Sequence, residues 1–453
     1  MTTLTVLGEP FPDWESELQR AAAADLLAAL ASTAPRACST RLLVAKGKPQ
    51  PRFASPKAQV DSLPLAAGML PVLWQSGASA RPLDGELVHA LTPMMPLRSR
   101  PADDGTQTSV TVPHTLAWEA PHLLGSSQAR LYRAFVRRAV KYADVLVAPT
   151  YAVASLLHEY YGAALPVQVV PLAPPTELLK PSDADERRTA LGLPERYMVT
   201  TASATEHGRL EWIFTAMRAD RTIPHLVIVP GLDPTLAESA RKMRAGAAAK
   251  AAQTSAASAT ADAASDAADA KKASAAPTSA ASGTTSAGAV LGETTVGERA
   301  STAVDETPAL TETATGASGS GSTPVANPWS EVPADLRDRV TVIAPGDLAD
   351  IGATLSSAQL LLQPQSVAGS GYTLLAALAA GVPTLHSGTE AVAELVLDGG
   401  VSAESETAFA SELSRLAGDP AELARLSVYA EDRSRTFSWV GTAWSLWELH
   451  ANL

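Results

Sequence analysis

The feature that most constrains this chain is a rhythm of short apolar runs alternating with helix-like periodicity, which occurs twice in succession. In the first half, apolar runs such as Leu4–Leu7 and Val145–Ala148 alternate with amphipathic stretches such as Tyr151–Tyr161. The same rhythm restarts at Tyr197–Ala202. Because strands that alternate with helices pair in parallel, the pattern predicts an α/β fold with two Rossmann-like domains.

The predicted elements fall into two sets that are separated by a linker near residues 174–185. The predicted strands are 4–7, 41–45, 86–90, 109–112, 145–148, 167–171, 197–202, 225–229, 340–343, 360–362 and 383–386. The predicted helices are 14–32, 128–142, 151–161, 210–217, 347–357, 373–380, 390–397, 404–416 and 420–431. We therefore place an N-terminal domain over residues 1–180 and a C-terminal domain over residues 181–435.

One segment, residues 246–326, interrupts the second half. It consists mostly of Ala, Ser, Thr, Gly and Asp and contains no aromatic residue and no isoleucine. Such a segment buries too little apolar surface to offset the conformational entropy of ordering. It is predicted to be a disordered insertion in the C-terminal domain.

Composition excludes several classes of protein. The net charge of −12 argues against nucleic-acid binding, which needs basic surface. A single cysteine, Cys38, rules out an intrachain disulfide and a Cys/His zinc cluster. The N-terminus lacks the basic and apolar regions of a signal peptide, and no run of about 18 apolar residues occurs. These observations predict a soluble cytoplasmic protein.

The most informative motif lies between Val340 and Pro383. A strand and a helix lead through Leu360-Leu-Leu362 into the loop Ala368-Gly-Ser-Gly371, and a further helix leads into Ala380-Gly-Val-Pro383. This segment resembles the C-terminal domain of glycosyltransferase family 4, whose pattern S-x-x-E-G-F-G-L-P-x-L-E-A-M-A-x-G-x-P places its glycines and proline at Gly369, Gly371, Gly381 and Pro383.

Three further segments resemble the same family in the same order. They are Tyr142-Ala-Asp-Val-Leu-Val-Ala-Pro-Thr150, Val169-Val-Pro-Leu172 and Phe437-Ser-Trp439. The resemblance covers about residues 85–230 and 339–453. It implies a GT-B fold, in which two Rossmann-like domains face each other across a cleft. It also implies that residues 436–453 form a helix that crosses back to the N-terminal domain.

The glycine loop has a chemical rationale beside the resemblance. Glycines at 369 and 371 let the backbone approach a ligand and adopt positive φ. A helix that begins near Thr373 directs free N–H groups and the positive end of its dipole toward an anion. The donor or phosphate site is therefore predicted at Gly369, Ser370, Gly371, Tyr372 and Thr373. The alternative is a loop that only turns the chain between strand and helix.

The sequence departs from the family at two positions. The family's two glutamates correspond to Ala368 and Ala376. In relatives the first contacts the transferred sugar, and the second accepts hydrogen bonds from the ribose hydroxyls. Since a hydrogen bond to a charged group contributes about 1.5–3 kcal/mol, losing both weakens donor binding or rate by about 10²–10⁴. The donor-site motif is therefore degenerate.

Basic residues of the cleft are predicted from the same resemblance. Arg209 is the first candidate for a phosphate contact and His207 is the second, because both stand near the family's basic pair that faces the diphosphate. A solvent-facing role at a helix start is the alternative for Arg209. His114, in Val112-Pro-His-Thr115, matches the family's V-x-H-D, with Thr115 in place of the acid, and is the candidate catalytic residue. A structural role for His114 stays open, and His89 is a weaker candidate on an earlier strand.

Two functions from different classes are consistent with these residues. One is a retaining glycosyltransferase that uses a nucleotide-sugar and no metal or other cofactor, with a glycan, lipid-linked or protein acceptor. The other is a catalytically silent GT-B protein that acts as the partner of an active transferase or as a glycan-binding module. Ala368 and Ala376 favour the second function, whereas the intact glycines, Arg209 and His114 favour the first.

One predicted helix is unusually basic. Arg130, Arg133, Arg137 and Lys141 recur at spacings of three and four, which places them on one face, with Leu131, Phe135 and Val136 as apolar neighbours. Such a helix can rest on an anionic membrane, so residues 130–141 predict a peripheral membrane contact. The alternative is a solvated helix face.

Overall fold

The computed structural model describes residues 2–48, 51–78, 87–101, 104–229 and 332–453. The predicted disordered insertion, residues 246–326, lies outside the described residues.

The N-terminal half forms a parallel sheet of seven strands in the order β3-β2-β1-β4-β5-β6-β7. The strands are β1 (Thr2–Leu7), β2 (Cys38–Val44), β3 (Ala58–Ser62), β4 (Leu87–Ala90), β5 (Gln107–Thr111), β6 (Val145–Ala148) and β7 (Val167–Val169). The helices are α1 (Ser16–Thr33), α2 (Leu70–Gln75), α3 (Leu116–Glu119), α4 (Pro121–Leu124), α5 (Ser126–Tyr142) and α6 (Tyr151–Tyr161). All four residues of β6 are buried, as expected for a strand covered on both faces.

The C-terminal half forms a second parallel sheet, of six strands in the order β10-β9-β8-β11-β12-β13. The strands are β8 (Tyr197–Thr200), β9 (His225–Ile228), β10 (Val340–Val342), β11 (Leu361–Gln363), β12 (Thr384–His386) and β13 (Gly400–Ser402). The helices are α7 (Ala184–Ala190), α8 (Leu210–Ala219), α9 (Leu348–Leu355), α10 (Tyr372–Ala379), α11 (Glu390–Val396), α12 (Glu406–Ala417), α13 (Pro420–Ser434) and α14 (Trp439–Asn452).

Both sheets have the Rossmann strand order, in which the third, second and first strands precede the fourth, fifth and sixth. The order reverses between β1 and β4, where Leu4 pairs with Leu87, and between β8 and β11, where Val199 pairs with Leu361. The predicted α/β fold with two Rossmann-like domains is confirmed. Ligands of such sheets bind beyond the carboxyl ends of the strands at the reversal point, so both sheets specify where the site lies.

Side-chain caps explain where several helices begin. Thr150, Asp347, Ser405, Asp419 and Ser438 each accept a hydrogen bond from a backbone N–H in the first turn of the following helix. These residues satisfy N–H groups that the helix itself leaves without a partner. Helix α6 consequently begins at the residue predicted from the sequence.

The sequence did not predict the edge strands β3 and β13, the short helices α2, α3 and α4, or the linking helix α7. Strand β3 is partly exposed along its length and β13 has only three residues, so neither shows an apolar run. Helix α7 begins within the predicted linker. Its Arg187 donates to Asp347, at 2.9 Å, and to Asp350, at 2.8 Å, which ties the linking segment to α9.

The C-terminal helix α14 packs on the N-terminal domain. Trp447 Nε1 donates to the Leu30 carbonyl at 3.2 Å, and Thr442 Oγ1 donates to the Pro171 carbonyl at 2.7 Å. His450 Nε2 lies 2.9 Å from Ser109 Oγ on β5. Apolar residues from both halves, among them Leu30, Tyr197 and Trp447, belong to one continuous core.

The basic face of α5 is exposed, but two of its three apolar neighbours, Phe135 and Val136, are not available to a membrane. Arg130, Arg137 and Lys141 are exposed, whereas Phe135 is only 1% exposed and Val136 is fully buried in the core. Any contact with a bilayer is therefore electrostatic in nature. Among the described residues, no helix combines the length and the apolar character needed to cross a membrane.

The membrane contact stays a prediction that co-sedimentation can test. The chain is expected to sediment with vesicles rich in anionic lipid and to be released by high salt, because exposed charges are screened. Replacing the four basic residues of α5 with alanine should abolish most of the binding. Equal sedimentation of the variant and the parent, or binding that salt leaves unchanged, would remove α5 as a membrane surface.

Candidate active site

A cavity of about 410 Å³ lies where the carboxyl ends of the two sheets meet. The N-terminal domain lines it with residues that follow β1, β5 and β6, and the C-terminal domain with residues that follow β8, β9, β10 and β11. The lining therefore comes from the strand ends at which Rossmann folds bind ligands. Residues on its wall include Asp13, Trp14, Glu15, Glu17, Pro113, Thr150, Thr201, Gln365 and Ala368 to Thr373.

The loop between β11 and α10 forms the C-terminal wall, and its two glycines are required sterically. A Cβ atom on Gly369 would lie 2.8 Å from Glu15 Oε1 and 2.8 Å from Trp14 Cη2. Gly371 has φ of 80°, and a Cβ atom there would also lie 2.9 Å from Leu395 Cδ1. The loop thus brings bare backbone against the opposite domain and leads directly into the first turn of α10.

The predicted donor-site residues Gly369, Ser370, Gly371, Tyr372 and Thr373 all line this cavity. Ser370 is 3% exposed and Tyr372 is 1% exposed, so both are held firmly in the wall. The structure brings these five residues together at the N-terminus of α10, where backbone N–H groups favour an anion. Their role as ligand-binding groups stays a prediction.

The opposite wall is formed by the loop that joins β1 to α1. Helix α1 begins at Ser16, two residues after the predicted start, which leaves Trp14 and Glu15 in the loop. Asp13 shapes this loop, because its carboxylate accepts from the Glu15 backbone N–H at 2.9 Å and from Gln19 Nε2 at 3.2 Å. The side-chain oxygen of Gln19, Oε1, in turn accepts a hydrogen bond from the Phe11 backbone N–H at 2.8 Å.

Glu15 joins the two walls. Its carboxylate accepts a hydrogen bond from the Ser370 backbone N–H at 3.1 Å and another from the Ser370 hydroxyl. Burial raises the pKa of Glu15 to about 7, and the negative charge of Asp13 adds to this rise, while His114 and the bonds from Ser370 oppose it. The Glu15 carboxylate, which belongs to the N-terminal domain, therefore occupies two hydrogen-bond donors of the glycine loop, the backbone N–H and the hydroxyl of Ser370.

His114 is fully buried beside this loop and does not itself line the cavity. Its ring stacks on Tyr132 with centroids 4.8 Å apart, and its Nε2 lies 4.0 Å from Asp13 Oδ2. Neither ring nitrogen has a hydrogen-bond partner among the described residues. The ring is thus placed behind the wall, next to Pro113, where it acts on Glu15 through its electrostatic field.

The predicted phosphate contacts Arg209 and His207 also lie outside the cavity lining. The Arg209 guanidinium sits over the Trp212 ring, 4.6 Å from its centroid. His207 Nδ1 lies 2.8 Å from Ser366 Oγ, and the His207 carbonyl accepts from the Ser366 backbone N–H at 3.0 Å. These contacts hold the segment that precedes the glycine loop, and a direct phosphate contact by either side chain stays a prediction.

The two alanines that replace the family's glutamates occupy different environments. Ala368 is partly buried and lines the cavity. Ala376 is 1% exposed, belongs to the hydrophobic core and does not line the cavity. The family resemblance implies that both positions lie beside the donor, but in this structure only position 368 lines the cavity.

The cavity wall is acidic. It carries Asp13, Glu15 and Glu17, whereas no Lys or Arg lines it in the part of the chain that the structure describes. Two buried polar atoms of lining residues, Trp14 Nε1 and Gln365 Oε1, have no hydrogen-bond partner among the described residues. Both atoms are buried within the wall and do not reach the cavity surface. The described residues include no group of three or more side chains that could hold a metal ion.

Sequence reasoning missed Asp13, Trp14 and Glu15. The predicted helix 14–32 included Trp14 and Glu15, so neither residue was assigned to a loop or to the site. The available signal was the position of two carboxylates and an indole directly beyond the carboxyl end of a central parallel strand. Their partner Ser370 follows 355 positions later, a pairing that only the tertiary fold creates.

Three solved structures resemble this chain over nearly its whole length. Sucrose-phosphate synthase from Thermosynechococcus elongatus is 16% identical with a TM-score of 0.58, covering 100% of this chain and 99% of that chain. HepE from Anabaena in complex with UDP-glucose is 12% identical with a TM-score of 0.53, covering 100% of both chains. WaaG, a glycosyltransferase involved in lipopolysaccharide biosynthesis, is 13% identical with a TM-score of 0.52, covering 98% of both chains.

The chain therefore has the GT-B fold, with two Rossmann-like domains that face each other across a cleft, as the sequence predicted. No protein-family model matches the sequence, and no curated protein matches it. At identities of 12–16% the likeness establishes the fold alone. Membership of glycosyltransferase family 4 stays a prediction.

Proposed function

We propose that the protein transfers a sugar, with retention of configuration, from a nucleoside diphosphate sugar to a hydroxyl-bearing acceptor. The observation that carries this proposal is the position of the loop Gly369-Ser-Gly371 at the N-terminus of α10, inside the cleft and at the reversal point of the second sheet. A diphosphate bound there would meet backbone N–H groups and the positive end of the helix dipole. HepE, which shares the fold, is described in complex with UDP-glucose, so a UDP-sugar is the donor class to test first.

The proposed chemistry relies on positioning more than on a protein nucleophile. Ser370 and Thr373 would hold the diphosphate while the sugar lies toward Trp14 and Gln365, which line the same cavity. Placing the acceptor hydroxyl against the anomeric carbon lowers the entropic part of the barrier, and fixed dipoles stabilise the departing diphosphate. A metal-independent reaction, the cytoplasmic location and the identity of the acceptor as a glycan, a lipid-linked sugar or a protein stay predictions.

Calorimetric titration with UDP-glucose and other nucleotide-sugars tests the donor site. Replacing Thr373 with valine keeps the side-chain shape and removes the hydroxyl, so UDP-sugar affinity should fall about tenfold or more, because a hydrogen bond to a charged group contributes about 1.5–3 kcal/mol. Thr215→Val, on the exposed face of α8, is the matched control and should bind as the parent does. The proposal fails if no nucleotide-sugar binds, or if both variants bind equally.

A second candidate is favoured by the two alanines. Position 368 offers no carboxylate to the cavity, and position 376 is packed in the core. A GT-B protein with these features could bind a glycan or support an active transferase without catalysing transfer itself. Binding of a neutral oligosaccharide without measurable transfer from any nucleotide-sugar would favour this candidate.

A further inference from the structure

We propose that Glu15 is an internal occupant of the donor loop, so that an incoming anion must displace its carboxylate from Ser370 before it can bind. The inference deepens the proposed function and rests on it for the nature of the natural ligand. It concerns a residue of the N-terminal domain that acts on a loop of the C-terminal domain.

The contact has the form of an anion held at a helix N-terminus. Both carboxylate oxygens of Glu15 are used, one by the Ser370 backbone N–H at 3.1 Å and the other by the Ser370 hydroxyl. Glu15 is 4% exposed and Ser370 is 3% exposed, so water does not compete for these bonds. Ser370 stands two residues before α10, which has eight residues and directs its first N–H groups to the same side.

A phosphate group would need the same donors. The Ser370 N–H and hydroxyl are already satisfied by Glu15, and Gly369 is covered by Trp14 and Glu15 so closely that even a methyl group would clash. No Lys or Arg among the described residues lines the cavity to offset added negative charge. Donor binding therefore requires the loop Trp14-Glu15 to withdraw, and its withdrawal separates the two walls of the cleft.

The charges that face Glu15 set the pH at which it is held as a carboxylate. Asp13 lies on the same loop, His114 follows β5, Tyr132 lies on α5 and Tyr372 begins α10. Burial and Asp13 raise the pKa of Glu15 to about 7, against the opposing effects of His114 and Ser370. Above this pH the carboxylate both occupies the donors and repels an anion. Below it the repulsion is lost, so competition by Glu15 weakens as the pH falls.

Titration of the full chain with UDP and with inorganic pyrophosphate tests the inference. Glu15→Ala should bind UDP at least about tenfold more tightly than the parent at about pH 8, and Glu15→Gln should show a smaller gain in the same direction. At about pH 6 the advantage of both variants over the parent should shrink, because the parent carboxyl is then largely neutral. Because the parent and the variants are compared at the same pH, the ionisation of the ligand affects all of them equally.

Glu448→Ala, which removes one charge from the exposed face of α14 outside the cavity, is the control for net charge and should change the affinity by less than about threefold. Melting temperatures establish that each variant is folded. Equal UDP affinity of parent and Glu15→Ala would overturn the inference and leave the proposed function standing. Tighter binding of pyrophosphate by Glu15→Ala, without binding of UDP or any nucleotide-sugar, would support the inference and overturn the proposed function. Failure of every variant to bind either ligand would overturn both.

Discussion

Replacing Ala376 with glutamate is expected to destabilise the protein by at least about 3 kcal/mol, because the new side chain overpacks the core and buries a carboxyl group. Ala376 is 1% exposed and lies on α10 among Leu374, Leu375, Ala377 and Leu378, all of them buried. Position 376 does not line the cavity of the candidate site, so a glutamate there would be buried in the core. Urea unfolding of the variant, compared with the parent at neutral pH, measures the effect.

Ala368→Glu is the matched control, since this position lines the cavity and can direct a carboxylate into it. We expect its stability to stay within about 1 kcal/mol of the parent, as for most substitutions outside the core. The sequence alone suggested that restoring both glutamates would strengthen donor binding, whereas the structure limits that expectation to position 368. If Ala376→Glu is as stable as the parent and gains nucleotide-sugar affinity, then α10 turns this position toward the cleft in solution and the described packing is wrong.

Acid is expected to destabilise the protein steeply below about pH 6.5, because three histidines are buried in neutral form. His89 and His450 flank Ser109, with ring nitrogens 2.8 and 2.9 Å from its hydroxyl oxygen. His386 lies at the end of β12 and is 3% exposed. Burial lowers the pKa of His89 to about 3 and the pKa values of His450 and His386 to about 4, from 6.5.

The direction of the effect follows from which state binds protons. Below 6.5 the unfolded chain protonates these histidines while the folded chain does not, so each one removes about 1.4 kcal/mol of stability per pH unit until its folded pKa is reached. Glu15 acts in the opposite direction, because its pKa is raised to about 7 and its burial penalty is relieved as the pH falls toward 4.5. The net loss is about 3 kcal/mol per pH unit, a large share of a typical domain's stability.

Urea unfolding at several pH values between about 7 and about 5 measures this slope. His450→Gln should reduce the slope by about 1.4 kcal/mol per pH unit, whatever it does to stability at neutral pH. His122→Gln, at an exposed position on α4, is the control that removes a histidine from the surface and not from the core. A parent protein whose stability is constant over this range would show that the buried histidines are accessible to protons in the folded state.

The sequence predicted the parts of the fold that depend on local order along the chain. The apolar runs at Leu4–Leu7 and Val145–Ala148 became central strands because parallel strands covered on both faces need continuous apolar sequence. Strands β3 (Ala-Gln-Val-Asp-Ser) and β13 (Gly-Val-Ser) escaped prediction because neither contains an apolar run. The glycine loop was also predictable, because the positive φ at position 371 favours glycine, and a glycine is visible in the sequence.

The sequence by itself thus determined two Rossmann-like domains and a glycine loop at the N-terminus of α10, because periodicity and glycine placement are local properties. Only the tertiary structure decided what faces that loop. It placed Glu15 on Ser370, Ala376 in the core and His450 beside Ser109, contacts between residues far apart in the chain. Such contacts depend on how two sheets and a returning helix pack together, and packing across hundreds of residues leaves no periodic signal in the sequence.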